Sequence, residues 1–115
     1  MAITRILAQL IVSDHDASVA WYDRLFVREP DERPMPGLAE WKLTENAWVQ
    51  VFADADKAGR SAVTIGVDDL DRHAQILAGN GIELDRRTTP RGQHLGSISD
   101  PDGNLIVFAQ DLEAS

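Results

Sequence analysis

Leu10–Asp14 reads LIVSD and Ile65–Asp69 reads IGVDD, an offset of 55 from position 10 to position 65. Each is the end of an apolar strand followed by an acid that can open a helix. A second echo keeps the same order: VFA stands at Val51–Ala53 and again at Val107–Ala109, an offset of 56 from 51 to 107. Two weak matches in one order, with nearly one offset, mark an internal repeat of about half the chain.

The elements on either side of these stretches repeat as well. Ile3–Val12 reads as a strand with Ile6, Ala8, Leu10 and Val12 on one face and Leu7, Gln9 and Ile11 on the other. Ser13 or Asp14 caps a helix whose buried stripe is Val19, Tyr22 and Phe26, widened by Trp21 and Leu25. Arg28–Gly37, with prolines at 30, 34 and 36, reads as a polar loop. Ala39–Thr44 and Ala47–Ala53 read as strands joined at Glu45-Asn46. The order then restarts with a strand at Ala62–Val67. A helix capped by Asp68-Asp69 follows, running to about Gly79 and buried through Leu70, Ala74 and Leu77. Strands at Ile82–Arg87, His94–Ser99 and Leu105–Gln110 complete the second half. The predicted fold is α+β: one domain over 1–115, built of two tandem βαβββ modules at about 1–57 and 58–115. Each helix covers one face of a small curled sheet, and the two bare faces enclose a groove where a ligand would sit.

The bulk composition bounds the function. With 115 residues the chain buries roughly two-thirds of its unfolded surface and needs no covalent staple. It has no cysteine, so disulfides, thiolate metal sites and cysteine nucleophiles are excluded, and a reducing, cytoplasmic location is expected. No apolar run approaches the ~18 residues of a membrane span, and the N-terminus reads as a first strand. A net charge of −8 argues against a nucleic-acid partner and favours cationic small molecules.

The chain resembles the vicinal-oxygen-chelate superfamily of glyoxalase I, extradiol dioxygenases and fosfomycin- and bleomycin-resistance proteins. The resemblance covers nearly the whole chain. It rests on LIVSDHDASVAWYDRLF at 10–26, WVQVF at 48–52, IGVDDLDRHAQIL at 65–77 and DPDGNLIVF at 100–108. Asp100-Pro101-Asp102-Gly103 also has the residues a type I turn prefers, so its role is read as a structural corner. Val27-Arg28 stands where many relatives have glycine, which implies a different exit from the first helix.

In the metal-using members four groove positions supply His and Glu ligands. The resemblance places these at Leu7, Ala62, Val107 and Gln50, the internal offset of 56 giving Val51 as the alternative to Gln50. Gln50 is preferred because a glutamine facing the helix-covered core would need a buried partner. Leu, Ala and Val carry no lone pair, and one amide oxygen does not hold a transition metal. A slip of one residue gives Ile6, Ala8, Val63, Ile106 and Phe108, which are also apolar. No metal and no cofactor are expected.

The predicted groove lining is Leu7, Gln9 and Ile11, then Trp48, Gln50 and Phe52, then Ala62 and Thr64, with Leu105 and Val107. Trp41, on the neighbouring strand, joins them. Aromatic faces suit planar ligands and cations, and Gln9 and Gln50 can orient a ligand without reacting with it. His15, His73 and His94 match no local metal motif. His94 with Arg91 is the weak candidate for acid–base or anion-binding chemistry. Arg86, Arg87 and Arg91 form a small basic cluster. The resemblance implies a non-catalytic, metal-free, antibiotic-resistance-like binding protein acting as a homodimer, and the net charge of −8 with the aromatic lining fits a planar or cationic small molecule. The alternatives are an enzyme of the superfamily (a lyase, isomerase or dioxygenase) and an interaction module with a filled groove.

Overall fold

The computed structural model describes residues 2–111. In chain order the elements are β1 (Ile6–Val12), α1 (His15–Phe26), β2 (Glu32–Met35), β3 (Leu38–Thr44), β4 (Ala47–Ala53), β5 (Ala62–Val67), α2 (Leu70–Gly79), β6 (Asp85–Thr88), β7 (His94–Ser99) and β8 (Leu105–Gln110). They form two four-stranded mixed sheets, ordered β1-β4-β3-β2 and β5-β8-β7-β6, so each half is a βαβββ module. In each sheet the first strand runs parallel to the last, and a helix makes the crossover.

The helix starts follow the acids. The Asp14 side chain accepts from the Ala17 amide at 3.2 Å, and the Asp69 side chain accepts from the Arg72 amide at 3.0 Å. α1 ends at Val27, which takes a left-handed backbone (φ 61) with the cap amide bonded back to the Asp23 carbonyl. Helix exits of that shape favour glycine, and a β-branched residue there is strained. So the exit takes the left-handed shape with a valine and not a glycine.

The helices pack on Leu10, Val12, Val49 and Val51 of the first sheet and on Ile106 and Phe108 of the second. All belong to one continuous core with Tyr22, Leu25, Leu70 and Leu77. α1 also reaches the second module, exchanging bonds between Arg24 and Asn80: Nη1 to the Asn80 carbonyl at 3.4 Å and Nδ2 to the Arg24 carbonyl at 3.0 Å.

Three sequence expectations need correction. Residues 32–35, expected inside a loop, form an exposed edge strand on β3. Pro34 fits such an edge, where a missing amide donor costs nothing. The sixth strand is Asp85–Thr88, beginning later than Ile82, because Ile82 is spent in the core below α2.

The third correction is Trp41. It is fully buried on the helix side, its ring tilted against those of Tyr22 and Phe26, with its indole Nε1 donating to the Arg28 carbonyl at 2.9 Å. The register shows why. Thr44 pairs with Ala47, but a shift between Lys42 and Thr44 then pairs Lys42 with Trp48 and Trp41 with Val49. Without that one-residue irregularity Trp41 would face Gln50 across the hairpin. A slip of one residue moves every later side chain to the other face.

The repeat is in register for one motif only. Gln9 pairs with Gln50, and Thr64 pairs with Val107. The offset is therefore 55 from 9 to 64 and 57 from 50 to 107, so the two VFA stretches are not equivalent. Val51 is buried on the helix side, and Gln50 lies on the opposite face as preferred.

Candidate functional site on the bare sheet faces

Across β1, β4 and β3 the bare face of the first sheet presents three rows. They are Leu7, Trp48 and Lys42; then Gln9, Gln50 and Glu40; then Ile11, Phe52 and Leu38. Alternation fixes this, since each of these residues points away from the helix-covered face.

The first row is aromatic and cationic. Arg5 Cζ lies 4.9 Å from the Trp48 ring centroid, and Lys42 Nζ lies 5.8 Å from it. Both distances suit cation–π attraction, worth about 0.5–1 kcal/mol at an exposed site. The middle row is a hydrogen-bonded chain. Gln9 Nε2 donates to Gln50 Oε1 at 3.1 Å, and Gln50 Nε2 donates to Glu40 Oε2. Gln9 is exposed, Gln50 half-buried and Glu40 only 8% exposed. The third row is apolar.

The second sheet carries Ala62 beside Leu105 and Thr64 beside Val107 on its bare face, continued by Ser99 and Ser97 on β7. Ala62, Thr64 and Leu105 are exposed, so this face is open to solvent in the single chain.

The four positions Leu7, Gln50, Ala62 and Val107 thus all lie on bare faces, two on each sheet. Their side chains offer one amide oxygen between them and do not fit a divalent metal, which needs at least three N, O or S donors. Among the described residues no group of three His, Asp or Glu side chains is placed to hold one.

The structure does not bring His94 or Arg91 to these faces. His94 pairs with Thr88 across β6 and β7, its Nδ1 3.1 Å from the Thr88 hydroxyl, on the same side of the sheet as Gly96 and Ile98. Arg91 is exposed in the turn closed by Thr89 and Gln93. The basic cluster is split too. Arg86 bonds Asp71 of α2 at 2.7 Å and holds that carboxyl below its ordinary range, while Arg87 pairs with Leu95 on the bare face.

Sequence reasoning missed Glu40, Lys42 and Arg5. The signal for Glu40 was an acid inside the apolar strand LAEW, but the hairpin irregularity hides which face it takes. It also missed a cleft of about 240 Å³ beside the bare faces. This lies between the N-terminal half of β1, the β3–β4 hairpin and the C-terminal half of β5, with Trp48 and Thr64 shared between cleft and faces.

Comparison with known proteins agrees with this architecture. Residues 3–108 match the family model described as Glyoxalase/Bleomycin resistance protein/Dioxygenase superfamily. The solved glyoxalase/bleomycin resistance protein from Catenulispora acidiphila is 29% identical, with a TM-score of 0.89 over 94% of this chain and 98% of that one. A bleomycin-binding protein complexed with bleomycin is 20% identical, with a TM-score of 0.77 over 94% of this chain and 98% of that one. A lactoylglutathione lyase from Agrobacterium tumefaciens is 20% identical, with a TM-score of 0.73 over 91% of each chain. The last two likenesses concern the fold. No curated protein matches the sequence.

Proposed function

The chain belongs to the glyoxalase/bleomycin resistance protein/dioxygenase superfamily, and from that premise we propose that it is a binding protein for a small planar molecule, working without a metal ion. One observation carries this reading. The positions that the resemblance assigns to metal ligands are Leu7, Gln50, Ala62 and Val107, which carry one amide oxygen between them, and beside them stand the aromatic ring of Trp48, the amide of Gln9 and the hydroxyl of Thr64. Such a surface binds by stacking and hydrogen bonding, and its one acid in the middle row, Glu40, is buried and hydrogen-bonded to Gln50. Trp48, half-buried between Leu7 and Lys42, is the platform for a planar ring. Phe52 and Ile11 extend the apolar floor below the glutamine row.

The bare faces are open in the single chain, and a ligand site buries most of its ligand. A two-fold dimer that sets the bare face of one sheet against that of another copy would close the site. We propose that arrangement, in a cytoplasmic protein.

Two measurements test the reading. Protein purified without a histidine tag and exposed to nickel, cobalt, zinc, iron(II) and manganese should retain almost no metal after desalting, as read by mass spectrometry. One metal per chain would overturn the metal-free reading. Titration with a panel of planar compounds should quench tryptophan fluorescence, and Trp48→Phe should remove most of that quenching while Trp21 and Trp41 remain. A panel that leaves both fluorescence and melting temperature unmoved sinks the binding role.

A further inference from the structure

The middle row of the first sheet has a direction. A carboxylate only accepts hydrogen bonds, so the Gln50 side chain must turn its Nε2 toward Glu40. Its Oε1 then faces Gln9, and Gln9 must turn its own Nε2 toward that oxygen. The oxygen left free at the end of the chain is therefore Gln9 Oε1, an acceptor held outward beside the second Nε2 proton on the exposed side chain. Two amides that could each be flipped are fixed by one acid. Glu40 is itself more than nine-tenths buried, and on the neighbouring edge strand its register partner Glu32 is exposed. Burial of an acid on a sheet face that otherwise suits apolar contacts is costly unless it is hydrogen-bonded, and the amide of Gln50 meets that need.

We propose that Glu40 is a positioning residue that sets the polarity of the site, so that the groove presents an acceptor at Gln9 and selects planar ligands bearing an N–H donor, of the amidinium or aromatic-amine class. This rests on the small-molecule reading above and narrows it. The acceptor at Gln9 lies one row from the Trp48 ring, two residues along β1 from Leu7. A flat ligand stacked at Trp48 therefore puts its edge, where its N–H groups lie, toward Gln9. Arg5 and Lys42 already stand near the ring, so the ligand's donor is steered to the glutamine row and away from the first row. A ligand edge bearing only acceptors would meet the Gln9 oxygen unpaired, which is the stronger form of discrimination.

The test uses benzamidinium and benzoate, which match in shape and differ in edge chemistry. Fluorescence titration of the full chain should favour benzamidinium by about tenfold or more. Glu40→Gln, whose carboxamide can donate or accept, should bring the two probes near parity. Gln50→Leu breaks the relay with the Glu40 charge intact and should do the same. Glu32→Gln removes an equal charge from the neighbouring strand and should leave the preference unchanged. A preference that survives Gln50→Leu, or one that falls equally in Glu32→Gln, would show simple charge attraction and overturn the relay. The amide resonances of Gln9 and Gln50 decide the case independently of any ligand. In the parent protein the Gln50 side-chain amide protons should be shifted from free-glutamine positions, and Glu40→Leu should return them there. Free positions in the parent protein would overturn the proposal. If those amides are held and neither probe binds, the small-molecule reading fails and takes the proposed ligand class with it.

Discussion

β1 and β5, the inner edge strands of the two sheets, lie side by side, and the two ends of their seam are built differently. At one end the turn Asp100–Gly103 is bolted to the first module. The buried Asp100 carboxylate accepts from Tyr22 Oη at 2.7 Å, Asn104 Nδ2 at 2.8 Å, and the amides of Asp102 and Asn104 at 2.9 Å each. Asp102 accepts from the Ser13 amide at 3.1 Å and hydroxyl at 2.5 Å, and Asn104 Nδ2 also donates to the Ile11 carbonyl at 2.7 Å. At the other end the equivalent turn is Glu45-Asn46, and the place is an open apolar cleft lined by Leu43, Thr44, Ala47, Ile65 and Gly66. The register-based offsets put Leu43 opposite Asp100 and Leu77 opposite Tyr22, so the acid–phenol pair has an apolar counterpart. The repeat duplicates the modules without duplicating the bolt. A directional polar network fixes how the modules meet, while the apolar end leaves room to differ.

If the bolt sets the seam, the largest effect should come from Asp100→Ala. It would take the acceptor from the Tyr22 hydroxyl, from one of the two Asn104 Nδ2 bonds and from the backbone amides of Asp102 and Asn104. A loss on the order of 3–5 kcal/mol in urea unfolding is expected. Tyr22→Phe should cost less, about 1–1.5 kcal/mol, because Asp100 keeps three other donors. The double variant should lose less than the sum, since both changes break one shared bond. An Asp100→Ala loss below about 1 kcal/mol would mean that apolar packing alone sets the seam, and the two ends would then be equivalent. Burial and the bond to Asp100 both push the Tyr22 phenol well above its ordinary value, so it stays a donor through all ordinary pH.

The same contrast shows what a sequence reveals. The repeat, both helix caps, β7, β8 and the choice of Gln50 over Val51 were legible, because each follows from spacing or alternation within one element. Trp41, Glu40 and the edge strand at 32–35 were not, because each depends on a one-residue irregularity in pairing between strands. The turn DPDG was legible as a corner, but its bonds to Ser13 and Tyr22 span most of the chain and left no local trace. Of the proposed site, alternation within β1 and β4 gave Leu7, Gln9 and Ile11 and Trp48, Gln50 and Phe52 a shared face, whereas Glu40, which bonds Gln50 on that face, left no signal within one strand of the face it takes.

The helices extend the comparison. Position 73 on α2 corresponds to position 18 on α1 by the offset of 55. Ser18 is buried and neutral, whereas the His73 ring lies tilted with its centroid 4.5 Å from that of Phe108 and its Nε2 buried and unpaired. Burial lowers the His73 pKa from the ordinary 6.5, against a weaker upward pull from Asp68. The unfolded chain therefore takes up the proton first as pH falls. The neutral ring's contribution is complete above 6.5 and is lost as pH drops below it toward the lowered folded value. The effect should be under about 1 kcal/mol, since the ring is partly solvated. Urea midpoints measured near pH 5 and pH 7.5 should differ more in the parent protein than in His73→Phe. Equal differences would place the pH sensitivity elsewhere.

The smallest effect is expected at the open end. Ala47 begins β4 and is exposed at the cleft. A valine there adds two methyl groups toward apolar walls and suits a strand, so Ala47→Val should stabilise by about 0.5 kcal/mol. The apolar walls of the cleft include Leu43, Val63 and Ile65, which the added methyls can meet. A stabilised or unchanged protein fits an open cleft. A loss above about 1 kcal/mol would mean overpacking, so that the cleft is closed in solution and hairpin and strand already meet there as the turn and Tyr22 meet at the other end.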